Sequence, residues 1–101
     1  MHYEQRILNQ QLILSLSGQF TFEDHQRFRD ILEHLKNTEV NNIQFDLSRL
    51  EFVDSAALGM LLIAREEAKK NQKSITLSQP NETVAKVFRI SKFDQLFALE
   101  A

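Results

Sequence analysis

The chain has 101 residues, 43% of them hydrophobic, no cysteine, and 12 Lys and Arg against 14 Asp and Glu, for a formal charge of -2. That length fits a single globular domain over residues 1–101, burying roughly two-thirds of its unfolded surface, and a second domain has no room. The acidic balance excludes the basic footprint of a nucleic-acid binder, the missing cysteines exclude disulfides and thiol chemistry, and protein partners are the expected ligands.

Taken in order, the N-terminal Met1-His2-Tyr3-Glu4-Gln5-Arg6 has no apolar signal-peptide core. Leu12, Leu14 and Leu16 alternate with Ile13, Ser15 and Ser17 as a strand, whose partner around Arg6 to Leu8 is joined through a tight turn at Asn9-Gln10. Gly18 is expected to end this hairpin. Thr21, with Asp24 three residues on, reads as a capping box before a helix whose Phe28, Ile31, Leu32 and Leu35 share one face and which frays near Asn37. Ile43, Phe45 and Leu47 alternate as the next strand region, followed by a polar turn that delivers Ser55 to the start of a helix running to about Asn71, with Lys69, Lys70 and Lys73 at its negative end. A short strand, Ser74 to Leu77, leads to a third helix started by Pro80 and Asn81, with Val84, Val87 and Phe88 on one face. Phe93, Leu96, Phe97 and Leu99 then pack the tail on the body.

The strand-helix-strand unit from Ile43 to Leu77 needs a right-handed parallel crossover, so the expected architecture is an α/β sandwich, a four- to five-stranded mixed sheet with helices mainly on one face. In the middle helix, Leu58, Leu61 and Leu62 read as the core stripe, while Ala56, Met60 and Ile63 form a second apolar arc. A helix apolar on both sides is buried twice or meets a partner, and Met60 suits an adaptable contact. The longest uncharged helical run, Ala56 to Ala64, is far short of the ~20 residues that span a bilayer, so a cytoplasmic protein without membrane insertion is expected.

From spacing alone, Ser55 and Asp54 read as helix N-caps, because both side chains accept bonds from the unpaired N–H groups of a first turn. A phosphate on Ser55 would be tolerated at that positive helix end. Asp46 reads as a residue that shapes the chain after its strand by bonding nearby amides, with partner contact secondary. His25 and His34, nine residues apart, lie on opposite helix faces as surface histidines, so no metal is expected. No serine has a neighbouring base, no glycine-rich phosphate loop is present, and neither catalysis nor a cofactor is expected.

Asp46-Leu47-Ser48 followed by Phe52-Val53-Asp54-Ser55-Ala56-Ala57-Leu58-Gly59 resembles the signature of the STAS domains, the family named for sulfate transporters and anti-sigma factor antagonists. Leu14-Ser15-Leu16-Ser17-Gly18 is similar to the family's second strand, and Phe93 to Leu99 to its end segment. For a stand-alone member, the resemblance implies phosphorylation at Ser55 by a switch-type serine kinase that also acts as the anti-sigma factor or a related switch protein. Unphosphorylated antagonist binds that partner, phosphorylation releases it, and a PP2C-type phosphatase, alone or carried by a response regulator, restores binding.

The implied contact set is Asp54, Ser55, Ala56, Met60 and Ile63, with Asp46 beside them. Ala56 stands where many members have a second hydroxyl, leaving Ser55 the only candidate in the motif. Thr21 replaces the aspartate that starts the first helix in many members, and, with the sequence stopping at Ala101, no further helix is expected after the tail and a shorter contact surface is expected. The alternative is a constitutive structural subunit, similar to the small STAS proteins of ABC-type lipid transport complexes, in which Ser55 is never phosphorylated.

Overall fold

The structure is a computed structural model that describes residues 1–100. Asn9 and Gln10 have φ of 51° and 65°, the paired positive values that a two-residue type I′ hairpin turn requires. They join β1 (His2–Leu8) to β2 (Gln11–Phe20) in an antiparallel pair that closes with Leu8 opposite Gln11. The hairpin is the one read from the sequence, with β1 extended back to His2.

After β2 the chain enters a 3-10 turn at Phe22–Asp24, where the Asp24 carboxylate accepts the Thr21 N–H at 2.8 Å, and then α1 (His25–Asn37). β3 (Asn42–Val53), α2 (Ser55–Lys70), β4 (Ser74–Ser78), α3 (Glu82–Ile90) and β5 (Ala98–Glu100) follow. The sheet order is β1-β2-β3-β4-β5, antiparallel for the first pair and parallel for the rest. Parallel strands added in sequence order by right-handed crossovers put every crossover helix on the same side, which is why one face is covered. A single core results, in which Leu14, Phe45 and Leu77 from three strands meet Phe28 and Ile31 of α1, Leu61 and Ala64 of α2, and Val84 and Phe88 of α3. Phe93 stacks between Phe88 and Phe97, with ring centroids at 5.4 and 5.2 Å, and so fastens the tail that supplies β5.

The polar turn expected after Leu47 is absent, because β3 continues to Val53. Two bulges hide this continuation in the sequence. Between Ser15 and Ser17 of β2 the partner strand passes from Asp46 to Arg49, and between Gly18 and Gln19 it passes from Leu50 to Phe52, one extra β3 residue each time. Each extra residue resets the two-residue alternation, so Leu47, Leu50 and Val53 are all buried at a spacing of three. Gly18 does not end β2; at φ 83° it sits beside the second bulge, and the strand runs on to Phe20.

α2 ends in a Schellman motif: the Lys73 N–H bonds the Ala68 carbonyl at 2.8 Å, the Gln72 N–H bonds the Lys69 carbonyl at 3.2 Å, and Gln72 lies in the left-handed region at φ 59°. A side chain there is strained, whereas glycine is not. Gln72→Gly is therefore expected to stabilise the fold by up to about 1 kcal/mol, seen as a higher urea midpoint with an unchanged slope. Asn81→Ala is expected to lose about 1 kcal/mol, because the Asn81 side-chain Oδ1 caps α3 by accepting the Val84 N–H at 2.8 Å.

Candidate functional site

The break between β3 and α2 is made by Asp54, whose extended backbone stops the helix from starting earlier. Its Oδ1 accepts the Ala57 N–H at 2.8 Å, and its main-chain carbonyl takes the Leu58 N–H at 3.2 Å. Its Oδ2 accepts the Phe22 N–H at 3.1 Å, and its own N–H donates to the Phe20 carbonyl at 3.2 Å. One residue thus caps α2 and ties it to the loop between β2 and α1. Asp54 is the N-cap, and Ser55 is the first helical residue rather than a cap.

Ser55 is exposed, and its hydroxyl makes no hydrogen bond among the described residues. No acidic side chain follows in the first turn of α2. With Ala57 and Leu58 amides already bonded to Asp54, the N–H groups of Ser55 and Ala56 are the ones at this positive helix end that face no helical acceptor.

The apolar faces of α2 are phased differently from the sequence reading. The buried residues are Ala57, Met60, Leu61, Ala64 and Ala68, a helical stripe at i, i+3, i+4, i+7 and i+11. Met60 is 3% exposed and belongs to the core, so it is not a contact residue. Leu62, read as core, is 36% exposed, and Leu58 is half-buried. Leucines outweighed alanines in that reading, yet the small side chains let α2 lie close to the sheet and α1. Ile63 is 51% exposed as expected, and Ala56 is half-buried.

At 100° per residue Ser55, Gly59, Leu62, Ile63 and Glu66 fall together on the outer face. Phe22 extends the surface: it is 62% exposed, in the turn that Asp54 holds against the start of α2. Sequence reasoning missed Phe22, although an aromatic residue off the Phe28, Ile31, Leu35 stripe was a usable signal.

Asp46 is not brought to this surface. It lies mid-β3 on the sheet face opposite the helices, seven residues before Val53, or about 20 Å along an extended strand. Its Oδ1 accepts the Ser48 N–H at 3.1 Å and its Oδ2 the Ser15 hydroxyl at 3.3 Å, so its observed work is shaping the first bulge. Burial works against its charge, but bonds from the Ser48 backbone and hydroxyl and the Ser15 hydroxyl, with the Arg6 charge, outweigh burial and hold its carboxyl below the usual range. His25 is exposed, and His34 sits half-buried, edge-on to Tyr3. Among the described residues no three His, Cys, Asp or Glu side chains are grouped to hold a metal, and no helix is long and apolar enough to cross a membrane.

Comparison with known proteins places this geometry in context. The family profile described as "Mlab, STAS domain" matches residues 4–99. A STAS-domain containing protein of Pseudomonas aeruginosa (strain UCBPP-PA14) is 38% identical over 90 residues, 89% of this chain and 88% of that protein. A crystal structure of a candidate anti-sigma factor antagonist from Thermotoga maritima superposes with a TM-score of 0.89 at 22% identity, over 98% of this chain and 86% of that one. The anti-sigma factor antagonist SpoIIAA in its unphosphorylated form gives 0.82 at 22%, over 99% and 88%. The phosphorylated form of SpoIIAA, a Bacillus cell fate determinant, gives 0.73 at 20%, over 99% and 91%. At these identities the structures establish a shared fold.

Two substitutions test the carboxylates. Asp54→Ala removes a cap and a loop tether, so a loss of about 1–2 kcal/mol is expected in urea unfolding. For Asp46 the folded pKa lies below the unfolded one, so its stabilisation is present above about pH 4 and is lost as pH falls through the folded value. Asp46→Asn should therefore be less stable than the parent at pH 7, with the gap narrowing as pH falls below about 4; a gap constant through that fall would show that charge is not its source.

Proposed function

The chain belongs to the STAS domain family, and from that premise we propose that it is an anti-sigma factor antagonist whose binding to an anti-sigma factor or switch-type serine kinase is controlled by phosphorylation of Ser55. The observation that carries this reading is the exposed, unpartnered Ser55 hydroxyl at the first turn of α2, continuous with the apolar side chains of Leu62 and Ile63 and bordered by Phe22. The named role of SpoIIAA, and the existence of that protein in phosphorylated and unphosphorylated forms, support it by analogy of fold. Asp54 and Ala56 flank the hydroxyl as further contact residues.

A specific interface takes ~800 Å² from each partner, about an eighth of this chain's 6136 Å². The outer stripe of a 16-residue helix, ~24 Å long, cannot supply that alone. Phe22 and its turn therefore belong to the contact. Phosphate adds about -1.5 to -2 charges next to Asp54. One opposed pair of like charges at 4 Å costs from ~1 kcal/mol in water to ~4 kcal/mol at an effective dielectric of 20, and ~1.4 kcal/mol is already tenfold in affinity. The helix end itself favours the anion, so the partner leaves while α2 stays folded. A PP2C-type phosphatase, free-standing or within a response regulator, would return the hydroxyl.

The test uses the anti-sigma factors and switch-type serine kinases of the source genome, purified singly. The parent and Ser55→Ala are expected to bind one of them with similar affinity, Ser55→Asp tenfold or more weakly, and the kinase to phosphorylate the parent but not Ser55→Ala. Equal binding by all three proteins would refute the switch. A stable complex with an ABC transporter ATPase, indifferent to Ser55→Asp, would instead establish the alternative of a constitutive transport subunit.

A further inference from the structure

β1 is an edge strand that the fold leaves bare. It pairs with β2 on one side and with no strand on the other, and His2, Glu4, Gln5, Arg6, Ile7 and Leu8 are all exposed. Sheet edges are ordinarily protected by brevity, proline, lysine or a bulge. The far edge, β5, has three residues, whereas β1 has seven, contains neither proline nor lysine, and pairs with β2 without a register shift. Ile7, 64% exposed, lies on the helix side of this edge and Leu8, 51% exposed, on the opposite face.

The hairpin fixes which main-chain groups are free. A two-residue loop closes on a hydrogen-bonded pair, here Leu8 with Gln11, so His2, Glu4, Arg6 and Leu8 bond to β2 while the N–H and C=O of Tyr3, Gln5 and Ile7 face outward. A second strand can therefore add only in a register that sets its own outward residues opposite these. Two antiparallel copies of β1 meet that condition about a two-fold axis at Gln5: Gln5 faces Gln5, Tyr3 faces Ile7, and Glu4 faces Arg6 on both sides of the axis. A slip of two residues either way sets Glu4 against Glu4 or Arg6 against Arg6, and like charges directly opposite are destabilising. From this self-complementarity we infer that β1 docks on β1 of a second copy of this chain, joining two five-stranded sheets into one continuous sheet with all helices on the same side.

The charges on this edge select a register instead of blocking pairing. Glu4 and Arg6 fall at the non-hydrogen-bonded sites, where opposed side chains approach most closely, and Tyr3 against Ile7 is an aromatic and β-branched pair that covers the exposed isoleucine. A groove of about 320 Å³ lined by Ile7, Leu12, His34 and Thr38 opens beside that pair, so the tyrosine has room. β2 lies between this edge and β3, whose end presents Ser55, so the self-contact and the Ser55 surface are separate and dimerisation does not depend on the Ser55 reading.

One strand edge is a small interface, so the test is sedimentation velocity on the full chain from about 10 µM to about 1 mM. The parent is expected to pass from monomer to dimer over that range. Glu4→Arg and Arg6→Glu, each checked for folding by circular dichroism and urea midpoint, should each dimerise at least tenfold more weakly, since each sets like charges opposite one another. An equimolar mixture of the two should recover the dimer, because every pair across the axis then has opposite charges. The chain has no cysteine, so Gln5→Cys supplies a single thiol at the axis, where paired Cα atoms are ~5.5 Å apart and within disulfide reach. In mild oxidant it should form a disulfide dimer faster than Lys86→Cys on the exposed side of α3. A parent that stays monomeric throughout overturns the proposal. Single charge variants that dimerise like the parent would place the contact on another surface, and a mixture that stays monomeric would show that Glu4 and Arg6 do not face each other; either overturns it. If the charge variants fail to fold, equal rates for Gln5→Cys and Lys86→Cys overturn it in their place.

Discussion

The Asp54 carboxylate is the constraint on which the rest depends. It is a single group with two acceptor oxygens, one committed to the Ala57 amide of α2 and the other to the Phe22 amide of the loop before α1. Helix α2 therefore starts at a fixed place, and an exposed phenylalanine is held at that start. A carboxylate serves here because it accepts two bonds in different directions and is favoured by the positive helix end. Loss of either bond would leave Ser55 in a helix of uncertain origin, next to a loop free to move.

The one-sided sheet determines what remains available for recognition. Three crossover helices on one face bury an inner stripe each, and the Ala-rich inner stripe of α2 brings it close to its neighbours. Its outer stripe is then left to solvent with a composition no isolated fold requires: a hydroxyl, a glycine, a leucine and an isoleucine within three turns. The opposite sheet face is polar, and its Ser15, Asp46, Gln44 and Ser78 satisfy one another across strands. A modification at Ser55 thus meets a rigid scaffold whose hydrogen bonds do not involve that hydroxyl. Charge can change at the surface while the core stays as it is.

Much of the fold was legible because it follows from local chemistry. The Asn9-Gln10 turn, the Thr21 and Asp24 pair, the Phe28, Ile31, Leu35 stripe and the span of α2 were all readable from spacing and residue type. What was hidden has a definite physical cause in each case. Two bulges in β3 turned a two-residue alternation into a three-residue one over Leu47, Leu50 and Val53, which reads as loop. In α2 the core was built from alanines, so weighting leucine misplaced Met60 and Leu62. Asp46 lies close to Ser55 in sequence but on the other side of the sheet, and only the unbroken run of β3 to Val53 reveals that. Phe22 was readable in principle as an aromatic residue off the helix stripe.

The most direct test of this account is a comparison of the protein bearing phosphoserine at residue 55 with the unmodified protein, in partner affinity and in amide hydrogen exchange along α2. The account predicts at least a tenfold loss of affinity with α2 exchange protection retained from Ala57 onward. Retained affinity, or loss of protection through α2, would contradict it: the first would mean that charge at Ser55 does not control docking, and the second that release comes from unfolding.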